Sequence, residues 1–180
     1  FQKALTQGSQ LLKDFPNSIN LYNIIGAANK GLGKLAEAIE AYNKAILLKP
    51  YNAEVYYNKG NALQSQGKLE GSIEAFNKAL ALKPDYAQAH NNLGIALKDQ
   101  DNLDKAIEAH KKAISIKPDY AEAFYNMGNA LQNQGRHDKA IKAYNDALSI
   151  NSNIAEAHNN LGNVLQNLGK HQEATKAFNK

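Results

Sequence analysis

The chain has 180 residues, 43% of them hydrophobic and 21% charged, with 21 basic against 17 acidic side chains and a net charge of +4. That balance is ordinary for a globular protein, excludes disordered, collagenous and mucin-like classes, and is too mild to imply nucleic acid without a clustered patch. Apolar runs such as Ala45-Ile46-Leu47-Leu48 are too short to span a bilayer, and the absence of cysteine removes disulfide scaffolds, thiolate metal sites and thiol nucleophiles together.

The chain opens on Phe1, without an initiator methionine or a signal-like segment, and reads as a cut fragment. No segment names a compartment, and a cytoplasmic one is the expectation. Along the chain the punctuation is regular. Pro16, Pro50, Pro84 and Pro118 stand 34 residues apart, with Ser152 in the next slot. Gly26, Gly60, Gly94, Gly128 and Gly162 keep the same step. So do the small residues Ala38, Ser72, Ala106, Ala140 and Ala174, and the large rings Tyr42, Phe76, His110, Tyr144 and Phe178.

Between these marks apolar residues fall at helical spacing, as in Tyr56, Gly60 and Leu63, then Leu69, Ile73, Phe76, Ala79 and Leu80. The pattern predicts a helix over 2–14, then pairs at 20–32 and 36–48, 54–66 and 70–82, 88–100 and 104–116, 122–134 and 138–150, and 156–168 with a shortened 172–180. Gly67, Gly135 and Gly169 supply turns within pairs, and each proline blocks continuation of a second helix. Each pair leaves an apolar face that only a neighbour can cover, so the pairs must stack. The frame is a half repeat at 1–18, full repeats at 19–52, 53–86, 87–120 and 121–154, and a truncated one at 155–180, forming a single solenoid.

This pattern resembles the tetratricopeptide repeat, whose motif places a large ring at position 4, Leu-Gly at 7 and 8, an apolar residue at 11, small residues at 20 and 27, an aromatic at 24 and proline at 32. The resemblance covers essentially the whole chain and implies an all-α fold, a right-handed superhelical solenoid of stacked antiparallel helix pairs. Departures are Lys59 in a leucine position, Asn29 in the apolar position 11, and histidine at His90 and His158.

Charges read as solvated helix chemistry. Glu40 and Lys44, Glu74 and Lys78, and Glu108 and Lys112 are spaced i, i+4 in the favourable order, and Lys49, Lys83 and Lys117 complement helix C-termini. Asp99, Asp101 and Asp104 do not make a calcium loop, because Asp104 and His110 stand where glycine and glutamate are required. They read as an acidic turn. Gly31-x-Gly33 lacks the context of a phosphate loop and reads as a helix end. The five histidines occupy ring or turn positions without metal-ligand spacing, and no serine or threonine is tied to a histidine and a carboxylate. No enzyme, metal or cofactor is expected.

Asparagine is the unusual residue, 23 of 180, and its placement is regular. The resemblance assigns positions 2, 5, 6, 9, 12 and 13 of first helices to a concave surface. Position 6 carries Asn58, Asn92, Asn126 and Asn160, with Ile24 in the first copy; position 9 carries Asn61, Asn129 and Asn163. Asn23, Asn91, Asn133, Asn159 and Asn167 join the same surface. Asparagine inside a helix costs up to ~0.7 kcal/mol relative to alanine, so its repetition needs a reason. Two readings stand: common descent with bonds to neighbouring helices, or a row of amides matching the polar groups of a peptide backbone.

That row resembles the concave asparagine ladder of O-linked N-acetylglucosamine transferase, which implies an extended polypeptide as ligand for Asn58, Asn92, Asn126 and Asn160. The two-carboxylate clamp of chaperone-binding repeats is not matched, since Asn23, Tyr57, Gln88 and Asn92 stand where basic pairs are required. Glu54, Glu122 and Glu156 at position 2, against Lys30 and Lys98, predict a neutral to slightly acidic groove. The expected function is a non-catalytic adaptor or scaffold that holds an extended peptide or partner protein; the alternative is the substrate-recruiting arm of a larger enzyme such as a glycosyltransferase. Neither nucleic acid nor membrane is an expected partner. Apolar residues at the ends, among them Phe1, Phe15 and Phe178, predict weak end-to-end self-association.

Overall fold

A computed structural model describes residues 1–180. Eleven helices follow one another: α1 Gln2–Asp14, α2 Ile19–Gly31, α3 Leu35–Leu48, α4 Ala53–Ser65, α5 Leu69–Leu82, α6 Ala87–Asp99, α7 Leu103–Ile116, α8 Ala121–Asn133, α9 His137–Ile150, α10 Ala155–Asn167 and α11 His171–Phe178. Each lies within two residues of its expected span.

The short turns have a common construction. In the α4–α5 turn the Gly67 amide donates to the Gln64 carbonyl at 2.9 Å and the Lys68 amide reaches back to Leu63 at 2.9 Å. This double closure satisfies two carbonyls that a helix end leaves open, and it needs a residue in the left-handed region between them. Gly67 supplies it with φ +76°; at the equivalent place in the α6–α7 turn stands Asp101, with φ 62°. The acidic turn expected there is therefore built on a strained residue. Start signals are uneven: the Asn52 side chain caps α4 by accepting from the amides of Glu54 and Val55, and Ser18 caps α2 through Leu21.

The residues group into two compact units, Phe1–Ala89 and His90–Lys180, with the boundary inside α6. In the first unit α1 packs on α2, α2 pairs with α3, α3 packs on α4, and α4 pairs with α5. Its core includes Ala38, Tyr42, Ala45, Val55 and Ala62, with Ile19, Tyr22, Ile39 and Ile46 against them. In the second unit α7 packs on α8, α8 pairs with α9, α9 packs on α10, and α10 pairs with α11. First helices also touch across one step, α2 with α4 and α8 with α10.

Inside each pair a glycine on the first helix takes the ring of the second. A methyl group on Gly60 would sit 2.6 Å from the Phe76 ring, and one on Gly128 would sit 2.5 Å from Tyr144. The repeating glycine and the repeating ring are thus one packing device, and Tyr42, Phe76, His110 and Tyr144 are all buried. Asn29 is buried in its apolar position. Of the three i, i+4 ion pairs, only Glu40 and Lys44 close, at 2.8 Å; the pair lowers the carboxyl's pKa and raises that of the ammonium. Glu74, Lys78, Glu108 and Lys112 stay exposed without that contact, as befits pairs whose gain barely offsets the entropy of holding two long side chains. Lys83 and Lys117 lie over the rings of Tyr86 and Tyr120 at 5.0 and 5.2 Å, a stacking that the capping argument did not foresee.

Candidate functional site

The asparagines lie on the first helices of the pairs, α2, α4, α6, α8 and α10. In the first unit Asn23 on α2 faces Glu54 and Asn58 on α4. The Asn58 side-chain amide donates to Asn23 Oδ1 at 2.9 Å, and the Asn23 amide donates to Glu54 Oε1 at 3.1 Å. A carboxylate only accepts, so Glu54 fixes the direction of the whole relay. The Asn58 oxygen is left without an intramolecular partner. Beside it, Tyr57 packs against Tyr86 with ring centroids 4.8 Å apart and the planes tilted by 40°. Burial pushes the Tyr86 hydroxyl up to about 12, with the neighbouring Tyr57 and Glu54 acting in the same direction. Tyr42 is raised to about 12, by burial first and by Glu54 second.

In the second unit the same register recurs with different neighbours. Asn126 on α8 donates to Asn91 Oδ1 on α6 at 3.2 Å, and His110 Nδ1 on α7 meets that same oxygen at 3.1 Å. His110 Nε2 is buried without a partner. A bare nitrogen lone pair there costs less than a buried, unpaired N–H, so Nδ1 carries the proton and donates. Burial, followed by the charge of Lys98, pushes this imidazole down to about 4, and the ring is neutral. One repeat further, the Asn160 amide donates to Asn129 Oδ1 at 2.9 Å and to the Tyr125 hydroxyl at 3.4 Å. The Tyr144 hydroxyl lies 2.9 Å from Asn129 Oδ1 and 2.6 Å from Gln132 Oε1, and its single hydrogen serves one of them. Burial raises its pKa above the ordinary tyrosine value.

The expected site residues are therefore distributed as follows. Asn58, Asn126 and Asn160 are half-buried and tied to the preceding first helix. Asn92 is half-buried and accepts from Asn91 at 3.5 Å. Asn61 is half-buried, Asn129 is an acceptor in the Asn160 relay, and Asn163 is exposed. Asn91 is not on the surface at all: it is 0% exposed, because it must satisfy His110. Lys98 is spent on Asp99 at 2.7 Å. The reasoning by repeat position missed the bonds between position 5 of one copy and position 6 of the next, a step of 35 rather than 34 residues; Asn23 with Asn58 and Asn91 with Asn126 held that signal.

The profile described as TPR repeat matches residues 31–67, 60–101 and 96–135, and profiles described as tetratricopeptide repeat match 121–154 and 143–176. No curated protein sequence matches the chain. Among solved structures, MamA is 32% identical over 86% of this chain and 91% of its own, with a TM-score of 0.81. MamA residues 41 to the end from Desulfovibrio magneticus RS-1 is 23% identical over 89% of this chain and 91% of its own, with a TM-score of 0.82. YrrB, described as a TPR protein with an unusual peptide-binding site, is 20% identical over 94% of this chain and 88% of its own, with a TM-score of 0.76. The last two show likeness of fold.

Proposed function

The chain belongs to the tetratricopeptide repeat family, and on that premise we propose that it is a non-catalytic interaction module holding an extended peptide against its asparagine-bearing first helices. The observation that carries this reading is the set of half-buried amides at Asn58, Asn126 and Asn160, whose oxygens have no partner within the chain. Polar groups so placed are matched at low cost by a peptide backbone. Two further points agree. YrrB, of the same fold, is described as having a peptide-binding site. Tyr42, Phe76 and Tyr144 are buried in the pairs and unavailable for stacking on bases, which speaks for a protein partner over nucleic acid. No helix is long and apolar enough to cross a membrane.

Neighbouring helices pack at ~8–10 Å and an extended peptide rises ~3.3 Å per residue, so neighbouring asparagines within one unit, such as Asn126 and Asn160, meet about every third ligand residue. Replacing Asn58, Asn92, Asn126 and Asn160 together by alanine is expected to weaken a peptide selected from a synthetic decapeptide array on the order of 10²–10⁴-fold. Circular dichroism checks that helicity survives. Equal affinity of the quadruple variant and the parent would reduce the row to shared descent. Separately, Phe1, Phe15 and Phe178 are exposed, which supports weak end-to-end association; light scattering that stays monomeric at every concentration would remove it.

A further inference from the structure

Two departures from the repeat meet in one groove of the first unit. Lys59 holds the place that Ile25, Leu93, Met127 and Leu161 hold in the other copies, and Gly71 holds the place of Glu37, Lys105, Lys139 and Glu173. The two residues lie on different helices, α4 and α5, yet both line a cavity of about 260 Å³ bounded by α3, α4 and α5. Ile39, Tyr56 and Leu63 give this cavity an apolar lining, and Asn43, Glu74 and Lys78 stand at it as well. Neither Asn23 nor Asn58 takes part, so the cavity is separate from the asparagine contact of the same unit. Packing explains neither departure. Lys59 is half-buried in a place that is apolar elsewhere, and it makes no hydrogen bond or ion pair within the chain. A methyl group on Gly71 would stand 3.5 Å from Leu63, an ordinary contact, so the helix has room there for a side chain. Glycine is a poorer helix former than alanine, and here its effect is to leave the cavity wall bare beside Leu63.

Charge and size decide the occupant. Glu74 and Lys78 are exposed and offset each other, which leaves Lys59 as the excess charge of the cavity, positive and set among apolar side chains. Such an ammonium is matched by a carboxylate carried next to an apolar group. The volume lies below the ~300–1,000 Å³ of sites that enclose a whole small ligand, and it suits side chains of a larger partner. We propose that this groove is a second docking site, for a segment of a partner protein in which an acidic residue stands beside an apolar one. The carboxylate meets Lys59, and the apolar side chain lies by Leu63 in the space that Gly71 leaves. The corresponding cavity of the second unit, at α9, α10 and α11, has Leu161 and Glu173 in these two places. Its lysines, Lys176 and Lys180, occupy the places of Glu74 and Lys78, so the half-buried cation is peculiar to the first unit. The proposal goes beyond the asparagine reading and does not depend on it, since the two sites share no residue.

The test is an array of synthetic acetylated octapeptides, read by fluorescence on the intact chain, on Lys59→Leu and on Asn58→Ala. Lys59→Leu installs the residue of Leu93 and Leu161, and circular dichroism checks that its helicity matches the parent. The expected result is a group of peptides that weaken roughly 2- to 10-fold on Lys59→Leu, keep their affinity on Asn58→Ala, and share an aspartate or glutamate next to an apolar residue. Replacing that acid by its amide in the peptide is expected to lose the same factor on the parent and nothing further on Lys59→Leu, a coupling that a purely structural lysine would not produce. Gly71→Glu, which copies Glu37 and Glu173, is expected to remove binding of the same group. An array in which no peptide responds to Lys59→Leu, or in which the responders carry no acidic residue, overturns the groove and leaves the asparagine reading standing. Responders that weaken equally on Asn58→Ala overturn it too, by assigning those peptides to the asparagine row.

Discussion

Two joints of the molecule occupy the same repeat positions and solve them differently. Where α2 meets α4, Asn23 is half-buried, and its amide reaches an exposed carboxylate, Glu54. Where α6 meets α8, Asn91 is fully buried and its oxygen serves both His110 and Asn126. The difference traces to one substitution in the ring position. In the first joint the ring beneath Gly26 is Tyr42; in the second the ring beneath Gly94 is His110, whose nitrogen demands a partner from within. The same amide-to-amide bond is thus a surface feature at one joint and part of the core at the other.

The comparison breaks most visibly on removal of the two position-5 asparagines. Asn91→Ala strands the His110 hydrogen in the core and is expected to cost about 2–4 kcal/mol in urea denaturation. Asn23→Ala, where water replaces the lost partner, is expected to cost under about 1 kcal/mol. Similar values for the two would mean that the joints are equivalent after all.

Acid separates the joints next. The folded His110 ring binds its proton less tightly than the unfolded one, which titrates near the ordinary histidine value of 6.5. The unfolded chain therefore holds more protons between the two values, and stability falls as pH drops from about 6.5 toward 4, by up to ~3 kcal/mol. His110→Phe, which copies the ring at Phe76, should flatten that part of the profile. Carboxylates titrate in both proteins, so the difference between the two curves isolates the histidine. Parallel curves would remove the buried ring from the account.

Smaller effects sharpen the contrast. Asp101→Gly relieves a non-glycine residue at φ 62°, where the α4–α5 turn already has Gly67, and is expected to stabilise by roughly 1 kcal/mol in thermal melts. Glu54→Gln should change stability by no more than about 0.5 kcal/mol, since the site is exposed. Its effect is on direction. A glutamine can present either end, so the Asn23 and Asn58 side-chain amide resonances should broaden or double, while those of Asn126 stay as they are. Unchanged resonances would mean that the carboxylate does not set the polarity of the relay.

The repeat frame was legible because its marks are local and steric. A proline cannot continue a helix, Gly67 closes a turn that needs a left-handed residue, and a glycine under a ring leaves no room for a methyl group. These requirements act within one repeat, so spacing alone placed the helices to within two residues and identified the buried rings. The asparagine row was legible only as a row. Whether an amide faces solvent or a neighbour depends on residues about 35 positions away, and which end it shows depends on a third group: a carboxylate at Glu54, an imidazole at His110. Position within the repeat put Asn91 on the surface beside Asn23, and only the packed ring of His110 drew it into the core. Sequence by itself determined the helices, their pairing and the residues that fill each pair, because those follow from backbone sterics and apolar burial. The tertiary structure alone decided which way round Asn23, Asn58, Asn91 and Asn126 stand, because hydrogen-bond direction is settled between helices, by a carboxylate at one joint and an imidazole at the other.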